Sequence, residues 1–496
     1  MLSVLYGAVS GLLLVLSLPK PDFYPLAWIG FVPLLVAVRR SSFRHALLSA
    51  YVTGLIFFAG TFYWITETMT IYGGVGPLAA IGVGLLFCTF YALHFVLLVL
   101  IVWGSIQRWG SVGLLTAAPG WVAVELLRTY LISGFPWMLT GYALVPFSGI
   151  LQVVTWTGVY GLSFIATALN SVLALGLVEN RRIWIAGSVA VAVLLSVLPI
   201  IPSPAAPSGD PINVRLVQTN ISLDQPWQEP ASTQLMDELT RLSSAPPGTV
   251  RLIVWPETPA PFYLKEDADF RQRIERIALS SDAYVLVGYI DKMGEGPTNS
   301  SGLVDPRGVQ VSRFDKIHLV PFGEYVPLKK LLFFADSLTR QVGDFTAGTD
   351  FTVSPLDNHR FSTAICYESI FPDLVRRFVK RGAEMLVVIT NDGWFGESSA
   401  PFQHLRMGVV RAVENRRYEV RSANTGISAI IDPYGRIENP TPIGRRMVVD
   451  GKAYFRNDLT FYTQYGDVFA YLNVLVILII GVVLLKTRRM NVRRSH

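Results

Sequence analysis

Three segments of the chain each place a reactive side chain just after an apolar, β-branched run. Glu257 follows Leu252-Ile-Val-Trp-Pro, Cys366 follows Ser362-Thr-Ala-Ile, and Lys316 comes two residues after a third such run. A thiol attacks a carbonyl carbon as the thiolate, so it needs a proton acceptor and positive surroundings. We therefore predict that Cys366 is a nucleophile, that Glu257 takes its proton, and that Lys316 stabilises an ionised sulfur and a tetrahedral oxyanion.

Neighbouring residues suggest how this set would be supported. Glu324 follows a Pro-Phe-Gly turn eight residues after Lys316 and is predicted to hold the lysine charged and in place. The backbone N–H of Tyr367 is a predicted oxyanion donor, and Glu368 is a predicted supporting carboxylate. Ser369 could cap the helix that follows. Each residue type also has an ordinary role on a surface or in a core, but three Pro- or Gly-marked contexts together favour a site.

The segment 210–461 has the composition of a globular domain in which β-rich and helical runs alternate. This alternation predicts α/β layers around a buried sheet. The predicted strands are Ile212–Gln218, Leu252–Trp255, Tyr284–Ile290, Val309–Phe314, Ser362–Ile365, Met385–Ile389 and Ile427–Ile431, and the predicted helices are Ala231–Ser243, Phe270–Ser280, Phe371–Arg381 and Pro401–Arg417.

The remainder of the 496 residues is strongly apolar. Hydrophobic residues make up 51% of the chain and charged residues only 16%, against about 25% charged in typical soluble proteins. A helix needs roughly 20 apolar residues to cross a bilayer. Eight stretches are predicted to span the membrane: Leu2–Leu18, Tyr24–Val38, Ala46–Trp64, Val75–Trp103, Val112–Leu131, Val153–Val178, Ile183–Ile201 and Asp467–Leu485. The predicted domains are therefore 1–201 in the membrane, a linker at 202–209, the globular domain 210–461, a last span at 467–485 and a basic tail at 486–496.

Basic residues are distributed unequally between the loops. If the N-terminus is cytoplasmic, every inside loop and the tail carry arginine or lysine, whereas the opposite loops carry almost none. This asymmetry predicts that the globular domain is extracytoplasmic and that both termini are cytoplasmic. Because the basic residues sit at span ends, the net charge of +6 does not indicate nucleic-acid binding. The six histidines and two cysteines form no metal-ligand spacing, so neither a metal nor another cofactor is predicted.

The motifs around Glu257, Lys316 and Cys366 resemble those of the nitrilase superfamily, which uses a Glu–Lys–Cys set on an αββα sandwich. Further motifs, Glu125-Leu-Leu-Arg128, Gly134-Phe-Pro-Trp137, Gln218-Thr-Asn220 with Trp227, and Asn391-Asp-Gly-Trp-Phe-Gly396, resemble its membrane-embedded branch, the bacterial apolipoprotein N-acyltransferases. The resemblance implies a nitrilase-like extracytoplasmic domain joined to a multi-pass helical domain in the inner membrane, with the catalytic domain on the periplasmic side.

The resemblance also implies a reaction and its partners. An acyl chain would pass from a membrane phospholipid, through a thioester on Cys366, to the α-amine of a diacylglyceryl-cysteine apolipoprotein. Trp227, Trp394, Phe333 and Phe334 are the expected substrate-binding residues, with the apolar segments around Phe333 and Trp394 as arms over a site at the bilayer surface. Both segments could equally pack into the domain core.

Three other functions are open from the sequence. Eight spans could enclose a transport path, although intramembrane charge is sparse. A membrane-tethered amidase would use the same three residues on a small amide. A non-enzymatic lipoprotein-binding module would keep its function after Cys366→Ala.

Overall fold

A computed structural model describes residues 2–198, 211–223, 228, 230–260, 262–264, 266–293, 296–325 and 344–494 of the chain. The predicted substrate-binding residues Trp227, Phe333 and Phe334, and the predicted linker 202–209, lie outside these residues. The chain divides into two compact units. One contains 1–66, 76–203 and 465–496, and the other contains 67–75 and 204–464.

The first unit is helical. Its elements are α1 (Leu2–Leu16), α2 (Val32–Arg40), α3 (Phe43–Ile71, which ends within the second unit), α4 (Pro77–Trp109), α5 (Ala117–Tyr130), α6 (Ser148–Leu151), α7 (Val154–Thr157), α8 (Val159–Val178), α9 (Arg182–Val197) and α15 (Val468–Arg494). Large apolar side chains are exposed along several of these helices, among them Leu86 of α4, Val197 of α9 and Leu478 of α15. Exposed apolar helix faces of this kind are expected where lipid, rather than water, surrounds a protein.

Within the described residues, four helical segments are long and apolar enough to cross a membrane. They are Phe43–Ile71, Pro77–Tyr130, Val159–Val178 and Val468–Lys486, and the second of these is a 54-residue run. Leu2–Leu16 and Arg182–Val197 are shorter apolar helices. The count of eight spans therefore stays a prediction.

The predicted second span, Tyr24–Val38, is wrong as one continuous helix. The chain there forms a 3-10 helix, Tyr24–Trp28, and then the nine-residue helix α2. A proline stands in the first turn of each piece. Proline has no N–H and its ring clashes with the preceding turn, so it can begin a helix but not continue one.

The second unit contains two six-stranded sheets. The first has the order β12-β1-β2-β3-β4-β5 and the second β11-β10-β9-β8-β7-β6. The strands are β1 (Ile212–Gln218), β2 (Leu252–Val254), β3 (Tyr284–Met293), β4 (Gly296–Val304), β5 (Gln310–Asp315), β6 (Ser354–Leu356), β7 (His359–Ile365), β8 (Met385–Thr390), β9 (Glu419–Ala423), β10 (Ala429–Ile431), β11 (Ile437–Glu438) and β12 (Met447–Ala453). The central pairs β1-β2-β3 and β7-β8-β9 are parallel.

The sheets face each other and helices cover them. The Ser422 hydroxyl of β9 donates hydrogen bonds to the carbonyls of Val217 and Val254 in the opposite sheet. The covering helices are α10 (Ala231–Ser243), α11 (Ala268–Ser281), α12 (Pro372–Lys380) and α13 (Ala400–Asn415). The short helix α14 (Phe461–Tyr465) follows, and its last residue belongs to the first unit. Apolar residues of α10 and α11, such as Leu239 and Ile274, form a core with β2 and β3. The predicted αββα sandwich is confirmed.

Candidate active site

The three predicted catalytic side chains come together where β2, β5 and β7 end. The Lys316 ammonium donates to Oε1 of Glu324 at 2.9 Å and to Oε1 of Glu257 at 3.4 Å. Lys316 is 1% exposed, and Cys366 lies close enough to interact electrostatically with Lys316 and Glu257. The predicted contact between Glu324 and the lysine is present.

Asn299 of β4 links the two carboxylates. Its Nδ2 donates to Oε1 of Glu257 at 2.7 Å and to Oε1 of Glu324 at 2.9 Å. The other oxygen of each carboxylate accepts a backbone N–H, from Asn391 for Glu257 and from Val320 for Glu324, each at 2.8 Å. Every carboxylate oxygen of the pair is therefore held by at least one donor, which fixes both side chains in place.

Cys366 directly follows β7 and is the first residue of a 3-10 helix, Cys366–Ile370, that precedes α12. Its φ of 52° lies in the left-handed region, where non-glycine residues carry an energetic cost. The predicted helix cap at Ser369 is wrong: the residue before α12 is Phe371, which makes no side-chain cap. The Ser369 hydroxyl instead donates to the carbonyl of Cys366 at 2.8 Å, so it stabilises the turn that carries the thiol.

Glu368 joins the lysine segment to the cysteine turn. One oxygen accepts the N–H groups of Ile317 and His318 at 2.7 and 3.2 Å, and the other accepts the N–H of Ile365 at 2.8 Å. The side chain is fully buried, and burial raises the pKa of Glu368 to about 7, against the opposing effect of these hydrogen bonds and of Lys316. The carboxyl group thus fixes the backbone on both sides of the site.

The protonation of the Cys366 sulfur differs from what the sequence predicts. Burial raises the pKa of the Cys366 thiol, the nearby Glu257 carboxylate raises it further, and Lys316 only partly opposes them. Burial would lower the pKa of Lys316, but Glu324, Glu257 and Cys366 raise it above its ordinary value. The resting site therefore holds an ammonium and a neutral thiol, whereas the sequence predicted an ionised sulfur. Ionisation must accompany attack.

Tyr367 and Trp394 have different surroundings. The Tyr367 ring is buried against Phe371, with ring centroids 5.0 Å apart. Trp394 is 39% exposed, so it is not a core residue. Its ring meets Tyr72 edge-on at 5.8 Å, and its carbonyl accepts the Thr68 hydroxyl at 2.9 Å. Both contacts lie within one compact unit.

Among the described residues, no group of three His, Cys, Asp or Glu side chains is arranged to hold a metal ion.

Sequence reasoning missed Asn299 and Thr390, whose hydroxyl interacts with the Cys366 thiol, and it named Asn391 in a motif without giving it a role. Thr390 and Asn391 stand where β8 ends, and parallel strands bring their carboxyl ends to one edge of a sheet. Polar residues after the strongly apolar run Met385–Ile389 were therefore a usable signal. No comparable sequence signal marked Asn299, because its segment is rich in small polar residues and resembles a loop.

Two family models match the chain. The model for the apolipoprotein N-acyltransferase N-terminal domain matches residues 10–172, and the model for carbon-nitrogen hydrolases matches residues 213–441. The apolipoprotein N-acyltransferase of Geobacter metallireducens is 39% identical over 484 residues, covering 94% of this chain and 92% of that protein. The corresponding protein of Brucella melitensis is 32% identical over 475 residues, covering 89% and 88%.

Solved structures similar to this chain include a member of the nitrilase superfamily and an amidase. Nit3 of Saccharomyces cerevisiae is 18% identical with a TM-score of 0.39, covering 51% of this chain and 93% of its own. An amidase from Nesterenkonia sp. is 19% identical with a TM-score of 0.38, covering 51% and 92%.

Proposed function

Because the chain belongs to the apolipoprotein N-acyltransferase family, a family of enzymes, we propose that it transfers an acyl chain from a membrane phospholipid to the α-amine of a diacylglyceryl-cysteine apolipoprotein. The reaction proceeds through a thioester on Cys366. The observation that carries this proposal is the buried Lys316, which contacts Glu257 and Glu324 beside the cysteine turn. A cation held between two carboxylates next to a thiol provides a base, a nucleophile and a positive charge in one place.

In the first half-reaction the Cys366 sulfur attacks the carbonyl carbon of a phospholipid ester. Its proton passes to Glu257, since the raised pKa of the thiol requires proton removal as the S–C bond forms. Lys316 and the Tyr367 N–H stabilise the oxyanion. When the intermediate collapses, the glycerol oxygen leaves with the proton from Glu257, which gives a lysophospholipid and an acyl-enzyme thioester.

In the second half-reaction the neutral α-amine of the apolipoprotein attacks the thioester carbonyl. Glu257 takes a proton from the nitrogen, the C–S bond breaks, and the proton returns to the sulfur. The products are an amide and the free thiol. Glu257 therefore acts as base and then as acid in each half, and Lys316 keeps its charge throughout because its pKa is raised.

The substrates favour a site at a membrane surface. Each buried CH₂ group is worth about 0.8 kcal/mol, so drawing a whole acyl chain into water would be prohibitive. We place the enzyme in the bacterial inner membrane, with the catalytic domain on the periplasmic side and both termini in the cytoplasm. The distribution of basic residues supports this orientation. Trp394, Trp227, Phe333 and Phe334 are proposed to contact the acyl chains.

A transfer assay with purified full-length enzyme tests the function. Phospholipid and a diacylglyceryl-cysteine peptide should give triacylated peptide and lysophospholipid in equal amounts. Cys366→Ala and Glu257→Gln should abolish both products, whereas Glu266→Gln, a change in an exposed ion pair with Lys292, should not. Ammonia release from a small amide, without peptide acylation, would instead establish an amidase.

A further inference from the structure

His404 of α13 is a buried histidine that contacts the cysteine turn. Its side chain is 0% exposed. Nε2 lies 3.2 Å from the carbonyl oxygen of Cys366 and 2.7 Å from the Ser369 hydroxyl, while Nδ1 lies 2.9 Å from Oδ1 of Asp392. Arg421, which can only donate, lies 2.8 Å from Nδ1, so Nδ1 accepts and the one proton of the neutral imidazole is on Nε2. Nε2 therefore donates towards the Ser369 hydroxyl oxygen and the carbonyl of the proposed nucleophile.

Polar contacts continue from His404 back to the sulfur of the same cysteine. The Thr390 hydroxyl donates to Oδ1 of Asp392 at 2.9 Å and also interacts with the Cys366 thiol. Thr390, Asp392, Arg421 and His404 therefore form one group of buried, hydrogen-bonded side chains beside Cys366. Both ends of the cysteine, its side chain and its carbonyl, are held by one set of buried groups.

Asp392 holds this group of buried side chains in place. Its other oxygen, Oδ2, accepts a hydrogen bond from Arg421 at 3.1 Å, and the side chains of Asp392, His404 and Arg421 are all 0% exposed. Burial would raise the pKa of Asp392, but His404 and Arg421 lower it to about 2. The aspartate is thus a fixed negative charge that holds Arg421, and Arg421 in turn donates to Nδ1 of His404 at 2.8 Å and orients the imidazole.

The carbonyl of Cys366 and the N–H of Tyr367 belong to the same peptide group, so the position of one determines the direction of the other. The peptide bond is planar and trans, so the C=O of Cys366 and the N–H of Tyr367 point in opposite directions within one rigid unit. The left-handed φ of 52° at Cys366 is a conformation that surrounding contacts must hold. Fixing this carbonyl therefore aims the Tyr367 N–H.

We propose that Asp392 and His404 are positioning residues of the acyl-transfer reaction, which hold the Cys366 carbonyl so that the Tyr367 N–H points at the developing oxyanion. This inference rests on the proposed function. It predicts that loss of the imidazole slows acylation of Cys366 without reducing the number of enzyme molecules that become acylated.

The test measures acylation of full-length enzyme by excess phospholipid, as the rate constant and the final amount of acyl-enzyme. His404→Leu should keep an amplitude close to one acyl group per enzyme and lose about a hundredfold in rate constant, the scale expected for misplaced reacting groups. His404→Gln keeps a side-chain donor and should recover most of that loss. A purely structural role would lower the amplitude and leave the rate constant unchanged, which would overturn the proposal.

His359→Leu is the matched control, because His359 also meets a carboxylate, Glu384, but at a half-exposed position. Its rate constant should equal that of the wild type. Should His404→Leu fail to fold, Ser369→Ala removes the other donor to the Cys366 carbonyl and should slow acylation about tenfold. A wild-type rate in that variant would overturn the proposal. Absence of acylation in the wild type would refute the proposed function instead.

Discussion

A single ammonium is shared between two carboxylates at the centre of the site. Glu257 and Glu324 both direct Oε1 towards Lys316, and the amide of Asn299 donates to the same two oxygens. Two buried carboxylates this close repel each other unless donors lie between them. Asn299 supplies two donors and no charge, so the cluster keeps one net negative charge that can accept the thiol proton.

Replacing Asn299 with aspartate tests this balance. Asn299→Asp exchanges a donor for a third carboxylate of almost equal size, which repels Glu257 and Glu324 and draws Lys316 away from the sulfur. We expect the acylation rate constant to fall by about a hundredfold or more, comparable to the loss of one oxyanion donor. Asn213→Asp on β1, at an exposed position, makes the same chemical change and should leave the rate unaltered. Equal rates in the two variants would contradict this account.

Residues with an unusual local context could be found from the sequence, and residues defined by packing could not. Glu257, Lys316 and Cys366 each follow a recognisable strand, so their convergence was predictable. Asn299 and His404 gave no such sign, because their roles depend on which strands and helices become neighbours in the fold. The ionisation of Cys366 was also beyond prediction, since it depends on how completely the sulfur is buried.

At the scale of elements, β9 is a fully buried strand made of Glu-Val-Arg-Ser-Ala. Side chains alternate along a strand: Ser422 faces the opposite sheet, whereas Glu419 and Arg421 face α13. Gly408 of α13 leaves space for the Glu419 carboxyl group, because a Cβ at that position would lie 2.5 Å from a Glu419 oxygen. Within the described residues, neither oxygen of Glu419 has a hydrogen-bond partner.

Glu419 should make stability depend on pH. Burial raises the pKa of Glu419 to about 7, although Arg421 and Arg411 oppose the shift. The folded state then binds a proton that the unfolded state releases above about pH 4.5, so stability falls as pH rises from there to about 7, by at most ~1.4 kcal/mol per pH unit. Glu419→Gln cannot ionise and should lose less stability over this range. Thermal melts at pH 5 and 7.5 measure the difference, and identical pH responses would refute it.

Glu368 provides a second test at this scale, because one carboxylate joins two elements. Glu368→Gln replaces an oxygen that accepts backbone N–H groups with an amide that donates. Leaving a buried donor unsatisfied costs about 1–3 kcal/mol, so we expect a lower melting temperature and slower acylation together. Glu266→Gln, at an exposed position, should change neither. A normal melting temperature for Glu368→Gln would show that the hydrogen bonds from Glu368 to the two segments do not stabilise the fold.

Five strands of the second unit, β4, β6, β9, β11 and β12, were missed from the sequence, and β4 and β9 illustrate why. β4 is rich in Gly, Ser and Asn, and β9 carries two charges, so neither shows the alternation or apolar run by which strands are recognised. Neighbouring elements stabilise these two strands: β4 pairs with the antiparallel strands β3 and β5, and β9 packs beside α13. Tertiary contacts, rather than local propensity, determine that these segments form strands.

At the scale of the whole molecule, the apolar stretches that hydropathy reveals form helices, but hydropathy does not predict where each helix breaks. Proline interrupts the second stretch, and Val112–Leu131 begins as a 3-10 helix, Gly110–Thr116, before α5. Orientation rests on charge alone and therefore needs its own measurement.

Labelling of introduced cysteines measures the orientation in cells. Leu279→Cys, in the second unit, and Gln107→Cys, at the end of α4, are both at exposed positions, and the native Cys88 and Cys366 are buried. We expect a membrane-impermeant maleimide to label Leu279→Cys in spheroplasts and to reach Gln107→Cys only after lysis. The reverse pattern would show that the catalytic domain faces the cytoplasm.

The mass of the enzyme after incubation with phospholipid alone tests the central claim most directly. We predict that the wild type gains one acyl group on the peptide that contains Cys366, that hydroxylamine removes it, and that added diacylglyceryl-cysteine peptide takes it up. Cys366→Ala should gain nothing. Full transfer to the peptide by a wild-type enzyme that never carries an acyl group would contradict the covalent mechanism.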